Sequence, residues 1–291
     1  MNLDLDHCGV AVRNLDRGRD AYARLGFHLT SRSFHAGARL PGGPVEPWGS
    51  GNHCAMFHAG YLEIIGLTDP NLFTSVRDMV GRYEGLHIVA IGCNEDADAA
   101  HAKLVQRGLP MESPRALERD AAFGRNDEEI RRAKFRNNFV DRARYPEGRL
   151  LVIEHLTRDV LWQPHLLDHP NGVLGIDECW FASPDAQATA RRLEPLSVGP
   201  VQLVDGAKVP RSYHLPLSRG ALIVVDAAHW QGLNPGPVPP LPSPVGLGFR
   251  VASLARTAAL LTKNGVPFGR SGRAIAVPAS AACGAAIRFH E

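Results

Sequence analysis

The chain repeats one order of elements. A short apolar, β-branched run leads into a polar run with helical spacing that stops at a glycine, and strand-like runs follow before the order begins again. The first unit opens on LDHCGVAV, continues through LDRGRDAYARL, capped by Asn14 and Asp16 and closed by Gly26, and adds GFHLTSRSF, GNHCAMFH and GYLEIIGL. The second runs from GLHIVAIGC through DADAAHAKLVQRG, closed by Gly108, to LPMES, KFRNNFVD and GRLLVIEHL. A third contains VLGIDECWFA, PDAQATARRL, VQLVDG, RSYHLPL and GALIVVDAA, and a fourth VGLGFRVAS, SLARTAALLTKNG, GRAIAVP and CGAAIRFH. This order predicts an α+β chain of four βαβββ modules paired as two tandem domains, residues 1–156 and 173–291. Residues 157–172 and the proline-rich 231–245 are predicted connectors. The mixed-sign run ALERDAAFGRNDEEIRRA, within residues 116–134, reads as a solvated helix or loop, with a mobile cover over a pocket as the alternative.

Composition narrows the function. With 291 residues and 44% apolar content the chain can build two ordinary cores. Its formal net charge is +2 and no basic stripe is interleaved with aromatics, so nucleic acid is not an expected partner. No basic and apolar leader precedes the first strand, and no run approaches a membrane-spanning length, so a cytoplasmic location without membrane attachment is expected. Five cysteines without CxxC spacing read as buried free thiols of a reducing compartment.

Four polar residues interrupt the apolar runs at matched positions. They are His7 in the opening strand and Glu63 in the closing strand of the first unit, then His87 and Glu154 in the second. Such groups are costly on a buried strand unless something satisfies them, and imidazole with carboxylate suits a first-row divalent cation. Each alone also fits a bland reading, a core histidine or a glutamate at a strand end. Cys8, next to His7, should face the opposite side of its strand. His28, His53, His58 and His155 are weaker candidates, and period-two alternation sets His155 opposite Glu154.

The phrases LDHCGVAVRNLD, WGSGNHCAMF and GYLEIIGL resemble the glyoxalase-like branch of the vicinal oxygen chelate superfamily. That resemblance implies curved mixed sheets, each built from two modules. It also implies one divalent ion (Zn, Ni, Co, Mn or Fe(II)) held by His7, Glu63, His87 and Glu154, the first- and fourth-strand positions. The implied activity is proton transfer on a small substrate with vicinal oxygens, with Glu154 as base and Glu63 as its pseudo-symmetric alternative. An extradiol-type Fe(II) dioxygenase, whose site uses two histidines and one glutamate, is the alternative enzyme, and a non-catalytic small-molecule binding or resistance protein is the alternative of another class. In the second pair of modules, Glu178 takes the place of His7, Ile223 of Glu63, Gly248 of His87, and Phe289 or His290 of Glu154. That broken set predicts a scaffold, a pocket wall or an internal stand-in for a partner subunit. Whether two chains form a homodimer is left open. Arg136, Asn137 and Asn138 are expected either to line a pocket, with Arg136 holding a substrate carboxylate or phosphate, or to lie on an exposed strand face. No phosphate-loop or nucleophile-elbow motif occurs.

Overall fold

The computed structural model describes the chain except residues 38–43, 207–208 and 235, and leaves out the side chains of 206, 209, 210 and 271. Two eight-stranded sheets are built, one from each half of the chain. In the first half come β1 (Leu3–Val12), α1 (Leu15–Arg24), β2 (Ser33–Gly37), β3 (Glu46–Met56), β4 (Tyr61–Leu67), α2 (Val76–Arg82), β5 (Gly85–Cys93), α3 (Ala97–Gln106), β6 (Arg115–Phe123), β7 (Glu129–Phe139), β8 (Arg149–His155) and α4 (Arg158–Leu161). The second half supplies β9 (Val173–Ser183), α5 (Ala186–Leu193), β10 (Gln202–Gly206), β11 (Val209–Pro216), β12 (Ala221–Asp226), α6 (Ala227–Leu233), β13 (Ser243–Val251), α7 (Leu254–Lys263), β14 (Gly269–Ser271), β15 (Ala274–Val277) and β16 (Ala286–His290).

The strand orders are β2-β3-β4-β1-β5-β8-β7-β6 and β10-β11-β12-β9-β13-β16-β15-β14, so each sheet is two modules joined at an antiparallel central pair. In the first sheet the edges nearly meet. The Ser33 hydroxyl on β2 donates to the Asp120 carbonyl on β6 at 3.0 Å, which bends the sheet almost into a barrel. Alternation along β1 then sorts the side chains: Cys8, Val10 and Val12 enter the main core, while His7 and Ala11 turn to the hollow side.

That main core is continuous through both halves. Phe27 meets Phe249 edge-on at 5.2 Å between centroids, Phe57 meets Phe249 at 5.5 Å, and the buried Tyr22 hydroxyl donates to the Ala282 carbonyl at 3.1 Å. Cys8 and Cys179 lie side by side there, and burial first, then that neighbour, pushes the Cys8 thiol up. All five cysteines are free.

Three expectations change. The charged run at 116–134 is neither helix nor loop but most of a long hairpin, with Ala116 opposite Arg136 and Phe123 opposite Glu129. Its mixed signs are cross-strand ion pairs on the outer face, Arg132 with Glu118 at 3.5 Å and with Asp120 at 3.2 Å, while Ala121, Ala133 and Phe135 face inward. LPMES contributes only an isolated bridge between Met111 and Val140. The predicted connectors hold short helices, α4 in the first and the end of α6 in the second, and α2 carries no helix signal that the sequence pattern singled out. Among the described residues no helix is long and apolar enough to cross a membrane.

Candidate active site in the first sheet

The hollow of the first sheet is an open cavity of about 340 Å³. Its floor is set by strand register. Tyr61, His7, Ala90 and Leu151 form one row across β4, β1, β5 and β8, and Glu63, Gly9, Ile88 and Arg149 form the next. A Cβ on Gly9 would stand 2.9 Å from two atoms of Ile88, so only glycine leaves this floor both tightly packed and open.

Two bulges decide which polar residues reach the cavity. In β1, Leu5 pairs with Ile91 and His7 with Ala90, which makes Asp6 an extra residue; in β5, Leu86 pairs with Val10 and Ile88 with Gly9, which makes His87 one. Asp6 is thereby set beside His7. Its carboxylate accepts from His7 Nδ1 at 2.7 Å and from His155 Nε2 at 3.1 and 3.2 Å, all within a buried cluster. Burial alone would raise the Asp6 pKa, but the charges and hydrogen bonds of His155 and His7 outweigh it and hold the carboxyl well below the usual range. An ionised Asp6 can only accept, so both imidazoles present N–H to it; in the singly protonated form of His7 this sets the proton on Nδ1 and the lone pair on Nε2. Among the described residues that nitrogen has no protein hydrogen bond, and the ring, stacked on Tyr61 at 4.2 Å, lines the cavity.

Glu63 also lines the cavity, and its carboxylate accepts from the Asn52 amide at 2.6 Å. At the rim, His35 bonds Ser50 at 2.9 Å, and burial lowers its pKa, which keeps it neutral near pH 7.

His87 and Glu154 are not brought to this place. His87 stacks on Tyr83 at 3.9 Å, bonds the Tyr83 carbonyl at 2.9 Å, and lines a small crevice with Arg82 and Arg142. Glu154 faces the outer side, where its carboxylate accepts from the Ala97 backbone N–H at the start of α3 at 2.9 Å. His155 does lie opposite Glu154, but it is the histidine that shares a side with Leu151 and Ile153. His28, His53 and His58 stay outside the cavity as well. The expected four-ligand centre therefore reduces to His7 and Glu63. Register explains the difference: Ile88, not His87, is the counterpart of His7, and Leu151, not Glu154, is the counterpart of Glu63.

Among the described residues no group of three or more His, Cys, Asp or Glu side chains is arranged to hold a metal ion, and none of residues 38–43, 207–208 or 235 is of those types. Catalytic divalent sites ordinarily draw on three protein donors; the imidazoles and carboxylates that line the cavity, His7, His35, Glu63 and Glu118, are not gathered in that way and do not fit a resident ion. Arg136 is not a cavity residue either. It is paired outside with Asp96 at 3.1 Å and Asp98 at 2.7 Å, and Asn138 bonds the Ala97 carbonyl, whereas Asn137 lines the cavity, so the two alternatives divide among the three residues.

Sequence reasoning missed Asp6, Tyr61, Asn52 and Arg149. A signal for two of them was present. Tyr61 and Arg149 each follow a glycine with positive φ, Gly60 and Gly148, and aligning the closing strands on that glycine sets Leu151 against Glu63.

The second sheet has a hollow that is filled. Trp180, Trp230, Ile223 and Val225 pack into it, leaving about 50 Å³, and Glu178, at the position of His7, accepts from the Trp180 indole at 2.8 Å. Val245 is the bulge residue there, so it, rather than Gly248, is the counterpart of His87.

A family model described as a glyoxalase-like domain matches residues 5–197. No curated protein matches the chain. Among solved structures, a hypothetical protein from Staphylococcus aureus is 12% identical at TM-score 0.60, covering 100% of this chain and 99% of that one. A mutant 4-hydroxymandelate synthase from Streptomyces coelicolor is 13% identical at TM-score 0.58, covering 99% and 92%. A Mn(II)-bound glyoxalase from Novosphingobium aromaticivorans is 13% identical at TM-score 0.53, covering 99% and 82%. At these identities the likeness is one of fold.

Proposed function

The chain belongs to the glyoxalase-like domain family, and on that footing we propose that it is an enzyme that moves a proton on a small carbonyl substrate with vicinal oxygens, bound in the hollow of the first sheet. The observation that carries this reading is the buried pair of His7 and Asp6, 2.7 Å apart, with the free His7 nitrogen on the cavity side. His7 Nε2 takes a proton from the carbon beside the carbonyl. Asp6 holds the ring in the tautomer that makes this possible and stabilises the imidazolium that forms. Glu63, fixed by Asn52, stands in the adjoining row, where it orients a substrate hydroxyl.

The proton transfer uses protein groups alone, because the donors that line the cavity are not gathered to hold a metal. The same scatter weighs against the Fe(II) dioxygenase reading, which needs two histidines and a glutamate gathered on one ion. A purely binding role leaves the His7 and Asp6 pair without a task. The reading is tested by incubating the protein in D₂O with a panel of small α-hydroxy ketones and α-keto acids and following loss of the α-proton signal by NMR. Exchange that depends on His7 supports it; no exchange across the panel by the wild type overturns it.

A further inference from the structure

We propose that Arg149 anchors the carboxylate of the substrate, which is therefore a small monocarboxylate with an otherwise apolar body. This rests on the first-sheet cavity being the binding site, as read above. Arg149 begins β8 and lines the cavity in the same row as Glu63, Gly9 and Ile88. Among the described residues its guanidinium has no hydrogen bond and no carboxylate within 4.0 Å; its one close partner is the Phe139 ring, 4.8 Å from the centroid. Several arginines against the first half are paired with carboxylates, Arg136 with Asp96 and Asp98, Arg192 with Glu147 and Arg13 with Glu84, and Arg119, which lines the same cavity, donates to the Ser33 hydroxyl at 2.8 Å. A partly buried cation without a counter-ion is costly to keep, and a planar fork of donors open to a cavity is matched by a carboxylate. Burial lowers the Arg149 pKa, with Glu63 partly restoring it, which agrees with a guanidinium stripped of water and lacking an adjacent anion.

The remaining lining sets the rest of the ligand. Ile65, Ile88, Leu151, Phe135 and Phe139 give an apolar wall around the fork. Glu63 stands in the same row, so a dianion such as phosphate would meet repulsion that a monocarboxylate meets less strongly. The second sheet supplies an internal comparison. Ala286 pairs with Gly246 as Arg149 pairs with Ile88, so where the hollow is filled the equivalent position carries no charge.

The test uses phenylacetate, its uncharged isostere phenylacetamide, and inorganic phosphate, titrated calorimetrically into the full chain. Wild type should bind phenylacetate at least about tenfold more tightly than the amide or phosphate. Arg149→Gln should bring phenylacetate down to the affinity of the amide while leaving amide binding intact, which also shows that the variant's cavity is formed. Arg149→Lys should recover part of the difference. Equal affinity for acid and amide, tighter binding of phosphate, unchanged phenylacetate affinity in Arg149→Gln, or no phenylacetate binding in the millimolar range would each overturn the assignment. Binding is read without turnover. Intact phenylacetate discrimination in a protein that exchanges no α-protons would therefore fail the His7 reading alone, and His7-dependent exchange without discrimination would fail the Arg149 reading alone.

Discussion

Trp180 stands in the second sheet where Gly9 stands in the first. Each is paired across the central strands with its counterpart, Gly246 for Trp180 and Ile88 for Gly9. The glycine leaves a floor over which a ligand can lie; the indole fills the same space and is covered in turn by Trp230 from α6, which a Cβ on Gly246 would meet at 2.6 Å. One duplicated plan thus yields one open hollow and one closed.

His7→Ala should reduce α-proton exchange by about 10² to 10⁴-fold, the range a positioned base contributes. Asp6→Asn should fall in the same direction, because an amide no longer fixes the tautomer. His87→Ala and Glu154→Gln should leave the exchange rate close to wild type. A loss at His87 or Glu154 as large as at His7 would return those residues to the chemistry.

Dialysis against a chelator should leave exchange unchanged, and elemental analysis of the purified protein should find well under one equivalent of Zn, Ni, Co, Mn or Fe per chain. One tightly held equivalent, lost together with activity, would mean that the donor set is larger than His7 and Glu63.

Gly9→Ala should destabilise the protein by about 1–3 kcal/mol, the usual cost of overpacking, and weaken ligand binding, since the new methyl has Ile88 at 2.9 Å. Adding Ile88→Ala should recover part of that stability, and urea melts of the two single variants and the double close the cycle.

Trp230→Ala should cost about 3–5 kcal/mol through the cavity it leaves in the second sheet, measured by urea unfolding. It should confer no second active site, because Glu178 is tied to the Trp180 indole and the nearby His214 is bonded to the Ser212 hydroxyl rather than to a carboxylate.

His169 gives the protein a pH-dependent stability. Its Nδ1 accepts from the His28 backbone N–H at 2.9 Å while its Nε2–H donates to the Met56 carbonyl at 2.8 Å, so the neutral ring is fully matched and a second proton would break a bond. Burial lowers its pKa to about 4. A folded-state pKa below the unfolded value means that the unfolded chain binds more protons in between. Stability is complete above the unfolded pKa of about 6.5 and falls as pH drops toward 4, by on the order of 1–3 kcal/mol. Urea midpoints at pH 7.5 and 5 should show this decline, and His169→Gln should flatten it; an unchanged slope in the variant would move its origin elsewhere.

The module order, the α+β class and most strands could be read from alternation, capping residues and closing glycines. His7 and Glu63 could be read too, because each breaks an apolar run on the inward phase of its strand. Glu154 misled because it lies three residues beyond Leu151, the counterpart of Glu63, on the opposite phase of β8. His87 misled because a bulge adds one residue to β5 and shifts its facing by half a period, and no local pattern in GLHIVAIG announces it. Asp6 is hidden for the same reason: in a regular strand it would point away from His7. The β6–β7 hairpin looked like solvated helix because its charges pair across strands, a relation invisible along one stretch of chain. Arg149 escaped notice because its meaning lies in the partner it lacks.

The continuous core beneath the two hollows makes the second sheet a buttress for the first. Cys8, next to His7 on β1, rests against Cys179, which arrives more than 160 positions later, in a core that also takes in Val10 and Phe249. A chain cut after residue 156 would leave that backing bare, and a substitution at Phe249, nowhere near the ligand, would register as a loosened His7. Damage to the silent half should be felt first as poor catalysis in the other.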